Sequence, residues 1–256
     1  MQVDVLFDPF GGRWRDMHQG ALAAEQAGFD GVWIYDHLAG SVHGASGVLE
    51  CWTSLTAIAT AVPGVAVGPL VLNVANRHPG TLAVMAATLQ EVSDGRLLLG
   101  VGAGGGVTTP YGAEQHALGR PVGTDRARRG AVEDAIATLR AVWSGTVGGV
   151  TGYLRPEPLP PIVVGGFGPK MAELAGRSGD GINLPAGRDL PQLIDIARRA
   201  HAAAGRDPAR FVVTASAVPS RRAHQRLSEL GVDRFITVVG PPYVDGVRQA
   251  AAAFKR

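Results

Sequence analysis

Short apolar runs recur from one end of this chain to the other. They are mostly continuous rather than alternating, as in parallel strands covered on both faces. They predict strands at Val3–Asp8, Gly31–Tyr35, Val65–Asn73, Arg96–Val101, Pro161–Val164, Gly181–Leu184, Phe211–Ala217 and Asp233–Val238. Between them the apolar positions follow helical spacing, at Met17–Ala27, Trp52–Ala61, Thr81–Ser93, Asp125–Trp143, Lys170–Arg177, Asp189–Ala204, Ser220–Leu230 and Tyr243–Phe254. Strand–helix pairs in this regular alternation predict an α/β fold, a (β/α)8 TIM barrel. A doubly wound open sheet is the alternative, but its pattern would not run so evenly to the C-terminus.

Three longer stretches lack either pattern: Ala39–Cys51, Gly104–Thr124 and Ser144–Pro160. The first two follow the second and fourth strands, which puts them on the catalytic face of a barrel. The third follows a helix and belongs to the opposite face. No linker or repeat interrupts residues 1–256, so a single barrel domain is expected.

Composition narrows the function. The chain has 256 residues, 46% hydrophobic and 18% charged, enough for one sizeable core. A formal net charge of +2 spread along it does not point to nucleic acid or a membrane surface. The apolar runs are broken by Gly and Pro, which argues against a transmembrane helix. The start, MQVDVLFDPF, enters a strand without a basic leader, and Cys51 is the one cysteine. Both features fit a reducing cytoplasm. The histidines show no metal-ligand spacing, so no metal site is expected.

Four segments carry chemistry. Pro161–Gly181, PIVVGGFGPKMAELAGRSGDG, reads as a buried strand, a Gly-rich turn and a helix. Gly165, Gly166 and Gly168 leave the backbone bare, and Pro169 suits the first helical turn. Bare amides at a helix N-terminus form an anion site, most naturally for phosphate. The competing reading is close packing of strand on helix, with Lys170 as solvated surface. In Leu97–Gly106, Gly100, Gly102 and Gly105 satisfy a G-x-G-x-x-G spacing, but the polar loop Val107–Gly123 follows where a dinucleotide fold needs a helix. The preferred reading is a bare strand end on which a flat ring can lie. Asp36-His37 follows the second strand. His exchanges protons near neutral pH and a nearby carboxylate can orient it. The alternative is that Asp36 caps a turn and His37 is structural. In LVLNVANRHP, Leu70–Pro79, Asn73 can present an amide to a ring edge, while Arg77 more naturally pairs with a neighbouring carboxylate.

Taken together, these segments resemble the bacterial luciferase-like superfamily, and within it the coenzyme F420-dependent oxidoreductases. The resemblance rests on AAEQAGFDGVWIYDH, on RHPGTLAVMAATLQEVSDGRLLLGVGAG with its Arg-x-Pro and Ser-x-Gly-Arg, and on GGFGPKMAELAGRSGDG. The last is similar to the Gly-Pro-Lys-Met form of the methylenetetrahydromethanopterin reductase-like members. The resemblance implies F420, or alternatively FMN, at the C-terminal mouth of the barrel. It implies Asp36 and His37 beside the ring, with His37 as catalytic proton donor or acceptor. It implies a bulge with a non-prolyl cis peptide at Leu70-Val71, a ring-contacting Asn73, ring and side-chain contacts from Gly102, Ala103, Gly104 and Gly105, and phosphate contacts from Gly165, Gly166, Phe167, Gly168, Pro169, Lys170 and Met171. Hydride transfer to or from a small organic substrate is the implied activity, in a homodimer. An FMN-dependent monooxygenase and a non-catalytic flavin- or F420-binding protein are the alternatives. Two departures stand out. Gly105 occupies the place where a sugar-phosphate dehydrogenase of the family has a Glu, and no long insertion lies near the C-terminal strands.

Overall fold

A computed structural model describes residues 1–255. In chain order the strands are β1 (Gln2–Phe7), β2 (Gly31–Ile34), β3 (Ala66–Pro69), β4 (Leu72–Asn73), β5 (Leu99–Gly102), β6 (Thr146–Val147), β7 (Val150–Thr151), β8 (Ile162–Gly165), β9 (Gly181–Pro185), β10 (Val212–Ser216) and β11 (Arg234–Val239). The α-helices are α1 (Trp14–Gln26), α2 (Cys51–Ala61), α3 (Pro79–Val92), α4 (Pro110–Ala117), α5 (Asp125–Trp143), α6 (Pro169–Ser178), α7 (Leu190–Ala203), α8 (Arg221–Glu229) and α9 (Tyr243–Lys255).

One parallel sheet runs β3-β2-β1-β11-β10-β9-β8-β5-β4. Its two ends are halves of one stave. β3 pairs with β2, β4 pairs with β5, and the peptide between Leu70 and Val71, in the break, is cis. A parallel bridge from Val67 to Leu97 joins the β3 half to the segment entering β5. The sheet thereby closes into the expected (β/α)8 barrel, with the stave predicted at Val65–Asn73 in two pieces.

The continuous apolar runs are explained by burial on both sides. On β1, Val5 and Phe7 join the large core beneath the helices, while Leu6 joins Trp33, Leu70 and Ile236 in a second cluster. Asp4 is also fully buried. It accepts from Arg234 Nε and Nη2 (2.6 and 2.8 Å) and from Trp33 Nε1 (2.8 Å). Burial pushes its carboxyl above the ordinary value despite these donors. Arg96, the last residue of Ser-x-Gly-Arg, is an anchor: its guanidinium donates to the carbonyls of Ala59, Val62 and Val65 around the end of α2.

All three stretches expected to be irregular are partly regular, and Ala39–Cys51 holds a 3-10 turn at Gly40–His43. Ser144–Pro160 contains the antiparallel β6–β7 hairpin. Gly104–Thr124 contains α4, which begins with Thr109 accepting from the Gly112 amide and Pro110 at the first helical position. With eight residues, α4 is too short to show the apolar periodicity that marks a longer helix.

Candidate active site

The C-terminal ends of the staves open into a cleft of about 770 Å³. Asp36, His37, Leu70, Val71, Asn73, Gly102, Ala103, Gly104, Gly105, Gly165, Gly166, Phe167, Gly168 and Met171 all line it. Pro169 and Lys170 do not. Both are exposed in the first turn of α6, outside the cleft wall.

His37 has a carboxylate partner, but it is Glu114 on α4 rather than the adjacent Asp36. His37 Nδ1 lies 3.1 Å from Glu114 Oε2, and the Leu38 amide donates to Glu114 Oε1. The Glu114 side chain is only 5% exposed. A buried carboxylate that accepts from Nδ1–H fixes the ring orientation and leaves Nε2 as the nitrogen free to exchange a proton.

Asp36 does a different job. Its side chain is 0% exposed, and its two oxygens accept from Arg77 Nη1 and Nη2, each at 2.9 Å. Oδ2 also accepts from the Asn73 amide at 3.0 Å. Asp36 thus ties the end of β2 to the end of β4 and offers no free oxygen to a ring. Arg77 also pairs with Glu50, which caps α2 by accepting from the Trp52 and Thr53 amides. Burial alone would raise the Glu50 carboxyl, but those amides and Arg77 outweigh it and hold it below the ordinary value. Burial likewise disfavours the Arg77 cation, yet Asp36 and Glu50 hold it above the ordinary value. The paired, structural reading of Arg77 is the observed one.

Helix α4 grips the cleft through one face. Tyr111, Glu114 and Gln115 stand at i, i+3 and i+4, the spacing that shares a helix face. The Tyr111 hydroxyl meets His43 Nε2 at 3.1 Å, Glu114 holds His37, and Gln115 Oε1 accepts from Asn73 Nδ2 at 3.1 Å. Asn73 Oδ1 accepts from the Ala75 amide, so most of its bonding capacity is used within the protein. The rings of Phe10 and Tyr111 lie 5.1 and 4.9 Å from that of His37, so the imidazole packs among aromatic neighbours. Burial pushes the Tyr35 hydroxyl, also on the cleft, above its ordinary value.

The glycines divide into two groups. A Cβ on Gly102 would sit 2.5 Å from Val71 Cγ2, and one on Gly165 would sit 2.8 Å from the same atom. A Cβ on Gly104 would sit 2.5 Å from Asn73 Nδ2, and one on Gly105 would sit 2.5 Å from Tyr111 Cβ. On Gly166 it would overlap Met171. Bareness at these five positions is therefore required by the protein's own packing, at Gly102 and Gly165 against Val71 of the Leu70-Val71 bulge. Gly168 is different: a Cβ there meets nothing within 4 Å. It is the N-cap of α6 without a side-chain cap, and among the described residues the amides of Phe167, Gly168 and Lys170 find no backbone acceptor. That bare helix N-terminus suits an anion.

Glu114, Tyr111, Gln115, His43 and Arg128 also line the cleft, and sequence alone does not mark them as site residues. Thr109-Pro110 followed by polar residues at i, i+3 and i+4 is a helix signal, but nothing local says that this helix faces His37. No group of three or more His, Cys, Asp or Glu side chains among the described residues is arranged to hold a metal.

A (β/α)8 barrel with its polar groups gathered at the C-terminal mouth is the class that fold and site define. Residues 5–253 match the family model for luciferase-like monooxygenases, and the chain belongs to that family. An F420-dependent glucose-6-phosphate dehydrogenase from Beutenbergia cavernae is 35% identical over 185 residues, 68% of this chain and 53% of the relative. An F420-dependent hydroxymycolic acid dehydrogenase from Mycobacterium tuberculosis is 33% identical over 73% of this chain and 54% of its own length. A 5,10-methylenetetrahydromethanopterin reductase from Methanolobus tindarius is 31% identical over 77% of this chain and 59% of its own. The chain thus spans little more than half the length of these curated relatives. A solved F420-dependent secondary alcohol dehydrogenase, in complex with an F420-acetone adduct, shares the fold. Its TM-score is 0.86 at 19% identity, covering 99% of this chain and 98% of that one.

Proposed function

We propose that this protein is an oxidoreductase that transfers a hydride between coenzyme F420 and a small organic substrate. One observation carries the reading: a histidine backed by a buried carboxylate shares a cleft with an uncapped helix N-terminus. The first is a proton-exchange group and the second an anion site. The choice of cofactor is supported by two of the curated relatives, which are F420-dependent dehydrogenases.

The residues present fit such a group. The Phe167, Gly168 and Lys170 amides would hold its phosphate, and the Leu70-Val71 bulge would back its ring. Bound F420 supplies a ring carbon that gives or takes a hydride as an electron pair. His37 Nε2 takes up or returns the accompanying proton, while Glu114 keeps Nδ1 protonated and the ring in place. Asp36 and Arg77 set the distance between the β2 and β4 ends, and Phe10, His43 and Tyr111 exclude water from one side of His37. This reading includes one barrel domain over residues 1–256, a homodimer and a cytoplasmic setting. It has support in the one nine-stranded parallel sheet, in family habit and in the lone buried Cys51 respectively.

The family's monooxygenase members favour a second reading, FMN-dependent oxygenation. Fluorescence titration with F420 and separately with FMN tests the two. Tight F420 binding with weak FMN binding is expected. The reverse preference overturns the proposal in favour of the monooxygenase. F420 binding without turnover of any alcohol, aldehyde or enone tried would leave a non-catalytic binding protein.

A further inference from the structure

Along β2 the side chains alternate between two cores. Val32 and Ile34 pack beneath the helices, and Trp33 packs inside the barrel with Leu6, Leu70 and Ile236. Tyr35 is two residues beyond Trp33 and takes the same inward face, where it packs against that inner cluster. It stands just past the end of β2 and lines the cleft. Its ring and the imidazole of His37 are 6.3 Å apart, centre to centre, and meet edge-on at 63°. One oxygen atom accepting at about 2.7–3.0 Å from each side can bridge such a spacing.

The Tyr35 hydroxyl has no hydrogen-bond partner among the described residues, and its polar neighbours are engaged elsewhere. Asp8 accepts from the Phe10 amide through Oδ1, Tyr111 is paired with His43, and Asp36 with Arg77. Glu114 occupies His37 at Nδ1 and leaves Nε2 free. Burial pushes the Tyr35 hydroxyl above its ordinary value, and Asp8 and Tyr111 act in the same direction. Tyr35 is therefore a protonated donor that lacks an acceptor, and an oxygen arriving in the cleft supplies one.

We propose that the Tyr35 hydroxyl donates to the reacting oxygen of the substrate, beside His37 Nε2, and that the substrate is an alcohol or carbonyl compound bound with its oxygen over the end of β2. The proposal rests on the hydride-transfer reading and names the substrate class of that same site. In the oxidation direction the carbinol C–H bond breaks and the hydrogen leaves with its electron pair as hydride to F420. The O–H proton passes to His37 Nε2, and the C–O single bond becomes C=O. Tyr35 keeps its proton throughout. Its hydrogen bond strengthens as the oxygen gains negative character, which is how a fixed donor lowers a barrier.

Tyr35→Phe is the test variant. The probe is cyclohexanone, and the control is methylenecyclohexane, which has the same shape with CH2 in place of the oxygen. The hydroxyl touches no protein acceptor, so the variant should match wild type in melting temperature and F420 affinity. A clear fall in either would assign the hydroxyl to the fold or to the cofactor and overturn the proposal. Calorimetric titration then uses protein loaded with oxidised F420, which leaves the ketone unreduced. Tyr35→Phe should bind cyclohexanone about three- to tenfold more weakly, the worth of one hydrogen bond, and bind methylenecyclohexane as wild type does. Equal affinity of both proteins for cyclohexanone, or no binding by wild type, overturns the proposal. Failure of wild type to bind F420 overturns the hydride-transfer reading instead, and cyclohexanone titration of the two cofactor-free proteins still decides whether Tyr35 receives an oxygen.

Discussion

His37 and Glu114 are 77 residues apart in the chain, yet Nδ1 of one lies 3.1 Å from Oε2 of the other. The pairing puts a buried carboxylate behind the histidine on the side away from Nε2. It also answers the departure at Gly105. An acid is absent from the turn after β5, where Tyr111 leaves no room for a side chain, but α4 brings one to the histidine from the same loop.

His37→Ala should keep the fold and the cofactor affinity while slowing turnover. Glu114→Gln preserves an acceptor for the Leu38 amide but removes the charge behind His37. It should lower kcat by about 10²-fold, the low end of general acid–base effects, with little change in cofactor affinity. Steady-state kinetics with fluorescence titration separates the two quantities. Unchanged turnover in either variant removes that residue from the proton path.

Arg77→Ala leaves the fully buried Asp36 carboxylate without its main partner. Breaking a buried pair from one side typically costs about 3–5 kcal/mol, so urea unfolding should show a large fall in stability. Asp36→Asn, which keeps an acceptor for the Asn73 amide, should cost less. Loss of activity with no loss of stability in Arg77→Ala would instead make Arg77 a binding group.

Gly166 and Gly168 are two residues apart and should respond in opposite ways. Gly166→Ala drives a methyl into Met171 and should destabilise the fold by about 1–3 kcal/mol, as overpacking does. Gly168 has extended backbone, at φ −151°, and open space around it. Gly168→Leu should therefore leave the melting temperature nearly unchanged while weakening F420 binding. Unaltered affinity would place the phosphate elsewhere.

Glu50 makes stability depend on acid pH. Its folded-state carboxyl lies below the ordinary value of 4.5, held there by the α2 amides and Arg77. The stabilisation is therefore complete above that value and is lost as pH falls through the folded-state value. Wild type and Glu50→Gln should differ in stability at neutral pH and converge on acidification below 4.5. A gap that stays constant down to the acid transition would show that Glu50 contributes no such linkage.

The two glycine-rich segments show where sequence reading reaches its limit. Gly102–Gly105 and Gly165–Gly168 were legible as strand ends at the barrel mouth, because Gly after an apolar run marks backbone in close approach. What approaches was not legible. At Gly102 and Gly165 it is Val71, delivered by the cis bulge, and at Gly104 it is Asn73. Only Gly168 keeps the space that the phosphate reading requires. The Asp36-His37 pair was legible as a rim dipeptide, but its division of labour was not: Asp36 turns to Arg77, and His37 turns to α4.

Local order along the chain was enough to determine the alternation of strands and helices, the barrel they build and the end at which its polar residues collect. Periodicity and turn chemistry act over a few residues, and parallel β–α connections leave few topologies. Tertiary structure alone decided which carboxylate meets His37, and which glycines are packing and which one is open. Each of these depends on loops meeting across the mouth of a closed barrel, and no residue's near neighbours in sequence record which distant loop its side chain will touch.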